Sequence, residues 1–123
     1  MKIILKNKSD VPIYEQIVEQ IKNAVLGGKL TENEQLPSIR QLARDLKISV
    51  ITTTRAYTDL MEAGYIISVA GKGYFVASRN NELLRERMLC DMEECLEKSV
   101  VSGRNAGLSD EEIINYLKSV LEE

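Results

Sequence analysis

The stretch Pro37-Ser-Ile-Arg-Gln-Leu-Ala-Arg-Asp-Leu-Lys-Ile-Ser-Val-Ile-Thr-Thr-Thr-Arg-Ala-Tyr-Thr-Asp-Leu-Met-Glu-Ala-Gly64 decides the fold. Two short helical patterns lie here with a tight turn between them. The first opens at Pro37, which suits a first helical turn because its missing N–H would be unpaired there. Its apolar positions Ile39, Leu42, Ala43 and Leu46 recur at helical period. Lys47-Ile48-Ser49 makes the turn, and Ser49 is a good N-cap for the second pattern. That second helix would bury Thr53, Ala56, Tyr57 and Leu60 and stop at Gly64. The run Ile51-Thr52-Thr53-Thr54 has the β-branched composition of a strand. The cap and the apolar spacing agree with each other and overrule it. Two helices joined this tightly form a helix-turn-helix, whose second helix can enter the DNA major groove.

Upstream, Val11-Pro12 opens a helix to about Leu26, with a stripe of Tyr14, Ile17, Val18, Ile21, Ala24 and Val25. Gly27-Gly28 ends it. Met1 to Asp10 reads as a short strand, an ordered arm or a loosely held terminus. Residues 29–36 form a connector with Leu30 and Leu36 buried and Asn33 in a polar turn. Downstream, Tyr65 to Val69 and Tyr74 to Ala77 are β-rich runs around Ala70-Gly71-Lys72-Gly73, which predicts a hairpin. Helix, helix pair and hairpin follow the winged-helix order, with Lys72 at the wing tip facing a phosphate or the minor groove.

Arg79-Asn80-Asn81 reads as a polar hinge. A helix follows over about 82–101, lined by Leu84, Met88, Met92, Cys95, Leu96 and Val100 and extended by Leu83 and Leu89. Asn105-Ala106-Gly107 breaks the pattern. Ser109-Asp110-Glu111-Glu112 is a capping box for a last helix with Ile113, Ile114, Tyr116, Leu117, Val120 and Leu121 apolar. A two-helix hairpin cannot cover both stripes alone, so a second copy is expected on it. The expected dimer residues are Leu84, Met88, Met92, Leu96, Val100, Ile113, Tyr116, Leu117 and Val120. The fold class is therefore mainly α with a small β-hairpin. A winged helix-turn-helix domain spans 1–78 and a helical dimerisation tail spans 79–123.

The net charge of −3 conceals an asymmetry. Residues 1–78 carry 10 Lys/Arg and 8 Asp/Glu, whereas residues 79–123 carry 6 and 11. The first part is thus mildly basic and the tail acidic. No apolar run would cross a bilayer and no secretory leader is evident, so a cytoplasmic location without membrane association is expected. There is no histidine, the usual general base and zinc ligand. Gly71-Lys72-Gly73 is too short for a nucleotide cradle. No enzyme, cofactor or metal site is expected. Cys90 and Cys95, about 500° apart on a helix, do not share a face and are expected to be buried thiols rather than redox sensors.

The residues resemble the GntR family of bacterial transcription regulators. The resemblance rests on Pro12 to Ile17, Leu36 to Ala43, Thr52 to Leu60, Glu62 to Ile66 and Gly71 to Val76. The short two-helix tail is similar to the YtrA subfamily, whose members often regulate operons for ABC-type transporters. The resemblance implies contacts to double-stranded DNA from Ser38, Arg40, Ser49, Ile51, Thr52, Thr54 and Arg55, and from Gly71 and Lys72 in the wing. It implies a homodimeric repressor on an inverted-repeat operator, with half-sites roughly 34 Å apart or a multiple of that. It leaves open an unknown small-molecule effector, which would sit at the dimer interface or between tail and winged helix. Three departures stand out. Lys47 and Asn33 occupy positions where the family commonly has glycine, and Val50-Ile51 stand where polar or basic residues are common. The last points to contact with thymine methyls and A·T-rich sites. Arg40 has Asp45 as an alternative partner, and an intramolecular ion pair is the alternative for Arg55. The competing functional class is a protein-interaction module that uses the acidic tail.

Overall fold

A computed structural model describes residues 1–78 and 81–123. Arg79 and Asn80, two of the three residues read as a hinge, lie outside the described residues. The element order is α1 (Ile13–Leu26), α2 (Ile39–Leu46), α3 (Val50–Glu62), β1 (Ile66–Val69), β2 (Gly73–Val76), α4 (Glu82–Asn105) and α5 (Asp110–Leu121). The chain divides into two compact units, Met1–Arg85 and Glu86–Glu123.

In the first unit the predicted α3 stripe is the centre of the core. Thr53, Ala56, Tyr57 and Leu60 are fully buried, so the helical reading of the β-branched run holds. Ile17, Val18 and Ile21 of α1 and Leu42 of α2 pack into the same cluster, with Leu30, Leu36, Tyr65, Ile66 and Val76. Thr53, polar and fully buried, donates its hydroxyl to the Ser49 carbonyl at 3.1 Å, which satisfies it inside the helix. Tyr57 donates to the Pro37 carbonyl at 2.7 Å and meets Tyr74 edge-on, with centroids 4.9 Å apart. Burial, together with Tyr74, pushes the Tyr57 phenol well above its ordinary range, so it stays a donor.

Both helix starts are capped by serine. Ser38 Oγ accepts from the Gln41 amide at 3.1 Å and Ser49 Oγ from the Thr52 amide at 3.0 Å. Pro37 therefore precedes the cap instead of lying within the first turn, and α2 starts at Ile39. Lys47 closes α2 with φ 56°, and Asn33 has φ 66°. These are the two positions at which family glycines were expected, and both are left-handed.

β1 and β2 pair antiparallel, with Ile66 opposite Val76 and Val69 opposite Gly73. The connector does more than link. Asn33 donates to the Val76 carbonyl, the Val76 amide donates to Glu34, and the Leu36 amide donates to Tyr74. Residues around Gln35 thus run as a third, minimal strand beside β2. The N-terminal arm is ordered by a side-chain clasp. Gln20 exchanges two hydrogen bonds with the Ile4 backbone, at 2.9 and 2.7 Å, and Gln16 exchanges two with Lys6, at 2.8 and 2.9 Å.

Leu84, expected in the dimer stripe, is instead 7% exposed and belongs to the core of the first unit. The first turn of α4 is thereby part of that unit, which runs to Arg85 and past the expected boundary at residue 78. Gly64 (φ 86°) makes this possible, since a Cβ there would lie 2.7 Å from the Leu84 amide nitrogen.

The second unit holds α4 beyond its first turn, a short loop and α5. α4 runs a turn beyond the expected end, to Asn105. The α5 capping box forms as expected, with the Glu112 amide donating to Ser109 Oγ and the Ser109 amide to Glu112. Hydrogen bonds from Ser109 hold the Glu112 carboxyl below its usual range. Near the loop, Gly103 lets α5 approach, because a Cβ there would meet Ile113 Cγ1 at 2.8 Å. Val100, Gly103, Leu108 and Ile113 are half-buried at this contact. No residue of α5 is buried. Both cysteines are exposed, which corrects the expectation of buried thiols: nothing within this unit covers them.

Two variants test the backbone constraints. Gly64→Ala adds a clash and left-handed strain, and is expected to cost on the order of 3 kcal/mol in denaturant unfolding. Lys47→Gly relieves a non-glycine left-handed residue and is expected to raise stability by about 1 kcal/mol in the same assay.

Candidate nucleic-acid interface

α3 is two-sided by construction. Its buried stripe is fixed by the core, so the opposite side must face out. Val50, Ile51, Thr54, Arg55 and Thr58 are exposed there. Ile51 is 83% exposed, an unusual place for a large β-branched side chain within a helix of a well-covered unit. Arg55 follows one turn later on the same face, at the i,i+4 spacing.

The hydroxyls in this region are partly committed within the chain. Ser38 and Ser49 are caps, as described. Ser49 Oγ also donates to Thr52 Oγ1 at 2.8 Å, and Thr54 Oγ1 donates to the Val50 carbonyl at 2.8 Å. The Thr52 hydroxyl hydrogen is left to donate outward, while Thr54 presents its oxygen and methyl. Ser38 and Ser49 therefore set where the helices begin, and any contact they make to DNA is additional to that.

The cations differ in their restraint. Arg40 on α2 is exposed, and no carboxylate among the described residues pairs with it. Its alternative partner, Asp45, accepts instead from Gln41 Nε2 at 2.7 Å. Among the described residues Arg55 likewise pairs with no carboxylate. Its guanidinium carbon lies 3.8 Å from the centroid of the Tyr14 ring, a cation–π contact. Tyr14, read from sequence as part of the scaffold stripe, is only partly buried and carries this arginine on its face. The Tyr14 phenol donates to Glu15 at 3.1 Å. Partial burial, then that hydrogen bond, push its pKa up against the pull of Arg55, so the ring stays neutral.

The wing is braced from below. Gln35 Nε2 donates to the Lys72 carbonyl at 2.8 Å, and the Lys72 amide donates to Val69 at 3.0 Å. Gly71 has φ 74° with open space around it, so the turn needs glycine for its backbone angle and not for lack of room. Lys72 projects its ammonium from a pinned backbone and is exposed. Of the residues named from sequence, Ser38, Arg40, Ser49, Ile51, Thr54, Arg55, Gly71 and Lys72 are exposed on the first unit, and Thr52 is half-buried. Sequence reading missed Gln35 and the role of Tyr14, since each acts on a residue distant along the chain. Among the described residues no group of His, Cys, Asp or Glu is placed to hold a metal ion. None of the described helices is long and apolar enough to cross a membrane.

Comparisons with known proteins bear on this geometry. Residues 13–76 match the family described as bacterial regulatory proteins, gntR family. The HTH-type transcriptional repressor YtrA of Bacillus subtilis is 29% identical over 113 residues, covering 92% of this chain and 87% of the repressor. The structure of YtrA from Sulfolobus acidocaldarius, a GntR-family transcription factor, is similar at TM-score 0.69 and 31% identity, covering 99% of this chain and 97% of that one. The DNA-binding domain of AraR, solved in complex with operator ORX1, aligns at TM-score 0.55 and 28% identity over 63% of this chain and 96% of that domain. The matched residues take in α1, the helix pair and the hairpin together, so the chain belongs to the gntR family of bacterial regulatory proteins, in its YtrA-like branch, and is a DNA-binding transcription regulator.

Proposed function

We propose that the chain is a cytoplasmic homodimeric repressor that binds an inverted-repeat operator, with α3 as the recognition helix. The observation that carries this reading is the outer face of α3, where Ile51 stands 83% exposed one turn from Arg55. Arg40, Arg55 and Lys72 supply sequence-independent attraction to phosphates, and Arg40 has the fork geometry to read guanine. Ser38, Ser49, Thr52, Thr54 and Gly71 shape the contact surface. Ile51 and the methyls of Thr52 and Thr54 favour thymine, and so A·T-rich half-sites. Control of a transporter operon follows from the likeness to YtrA regulators. Any small-molecule effector would act through the tail.

The dimer reading rests on the second unit. Met88, Met92, Leu96, Ile114, Tyr116, Leu117 and Val120 are large apolar side chains left at least 40% exposed. So many large apolar side chains left exposed in one unit are typical of an interface. The dimer set consists of Met88, Met92, Leu96, Val100, Ile113, Tyr116, Leu117 and Val120; Leu84 leaves it because it is spent in the first unit.

Binding is expected to weaken steeply with salt, and Arg40→Ala to flatten the log–log salt slope by about one while lowering affinity about tenfold. Fluorescence anisotropy on labelled duplexes measures both, and an unchanged slope would remove Arg40 from the interface. Met92→Lys is expected to shift the protein from dimer to monomer in sedimentation velocity. It should also lose preference for paired half-sites over one half-site. A variant that stays dimeric would move the interface elsewhere.

A further inference from the structure

The Tyr14–Arg55 contact joins the start of α1 to the exposed face of α3. Core packing does not require it. Arg55 is exposed and Tyr14 only partly buried, while the α1–α3 contact already has Ile17, Val18 and Ile21 against Ala56, Tyr57 and Leu60. Nor is it ordinary charge pairing. Asp59, one turn further along α3, and Glu15, beside Tyr14, are the acidic groups near the ring. Neither forms an ion pair with Arg55. A guanidinium stacked on an aromatic face keeps its N–H edge free, because the donors lie in the plane and the ring takes only the face. An arginine loses much rotamer freedom when it binds an anion, and one already held in place loses less.

We propose that Tyr14 is a positioning residue for DNA binding: its ring holds the guanidinium of Arg55, one turn along α3 from Ile51, over its face, so that the N–H groups donate to a backbone phosphate flanking the recognition helix. This rests on α3 being the recognition helix. The contact is to phosphate and not to a base, so it strengthens binding to any duplex. Tyr14 therefore acts on DNA from a different helix through an arginine that it does not neutralise.

The test uses the full-length chain and a fluorescein-labelled duplex of mixed sequence, with Kd followed over a sodium chloride series and each variant melted to confirm folding. Arg55→Ala is expected to flatten the salt slope by about one. Tyr14→Leu keeps the charge and loses the platform, so affinity falls about two- to fivefold. Tyr14→Phe keeps the ring and loses the hydroxyl, and is expected to bind like the wild type. Arg55→Lys keeps the charge and loses the planar fork, and is expected to weaken binding with the slope retained; it carries the test if Tyr14→Leu fails to fold. Tyr14→Leu binding as tightly as wild type, Tyr14→Phe as weak as Tyr14→Leu, or Arg55→Lys at full affinity would each overturn the proposal. If Arg55→Ala matches a wild type that binds with steep salt dependence, the proposal fails while the recognition-helix reading stands. A wild type that does not bind the duplex at all overturns both.

Discussion

Tyr57 sits where the parts of the DNA-binding unit meet. Its ring is wholly buried from α3, its hydroxyl holds the Pro37 carbonyl just before α2, and its edge contacts Tyr74 of β2. One side chain thus fixes α3 relative to both the preceding helix and the wing. A buried phenol needs an acceptor, and the Pro37 carbonyl supplies one, the Gln41 amide four residues on being taken by Ser38 Oγ. With the inner stripe of α3 fixed this way, the residues between its positions have no choice but to face solvent. Ile51 and Arg55 are therefore a consequence of where Thr53, Ala56, Tyr57 and Leu60 must go.

The two units use their apolar residues differently. In the first, one buried cluster forms the core, while Val50 and the strongly exposed Ile51 stand on the α3 surface. In the second, α5 buries nothing and α4 contributes to burial through Leu84, which belongs to the first unit. The two helices of the second unit meet near their loop and leave large apolar side chains exposed beyond it, which is what motivates the proposed dimer.

Much of this was legible in the sequence because the signals were local. Helical spacing overrode the strand propensity of Ile51-Thr52-Thr53-Thr54, and the Ser49 cap and the Ser109–Glu112 box form as their sequence signals indicate, whereas the Ser38 cap was hidden by reading Pro37 as the helix start. Lys47 and Asn33 could be flagged because the resemblance marked their positions as commonly glycine, and both proved left-handed. The misses share a cause. Periodicity says that Leu84 has an apolar neighbour but cannot say which one, and Gly64 lets the core of the first unit take it. Cys95 lies on the α4 stripe, yet its burial depends on what covers that stripe. Gln35 forms a strand too short to carry a pattern, and the stacking of Arg55 on Tyr14 joins residues that no window of sequence contains.

The central claim is that two copies of α3, paired through the tail, read a two-fold symmetric site. The direct measurement is selection of random duplex DNA by the purified full-length protein, with sequencing of what is retained. An enriched inverted repeat with A·T-rich half-sites, spaced by about one helical turn or a multiple, is the predicted result. Enrichment of a single unpaired half-site, or retention with no enriched sequence at any salt, would contradict it.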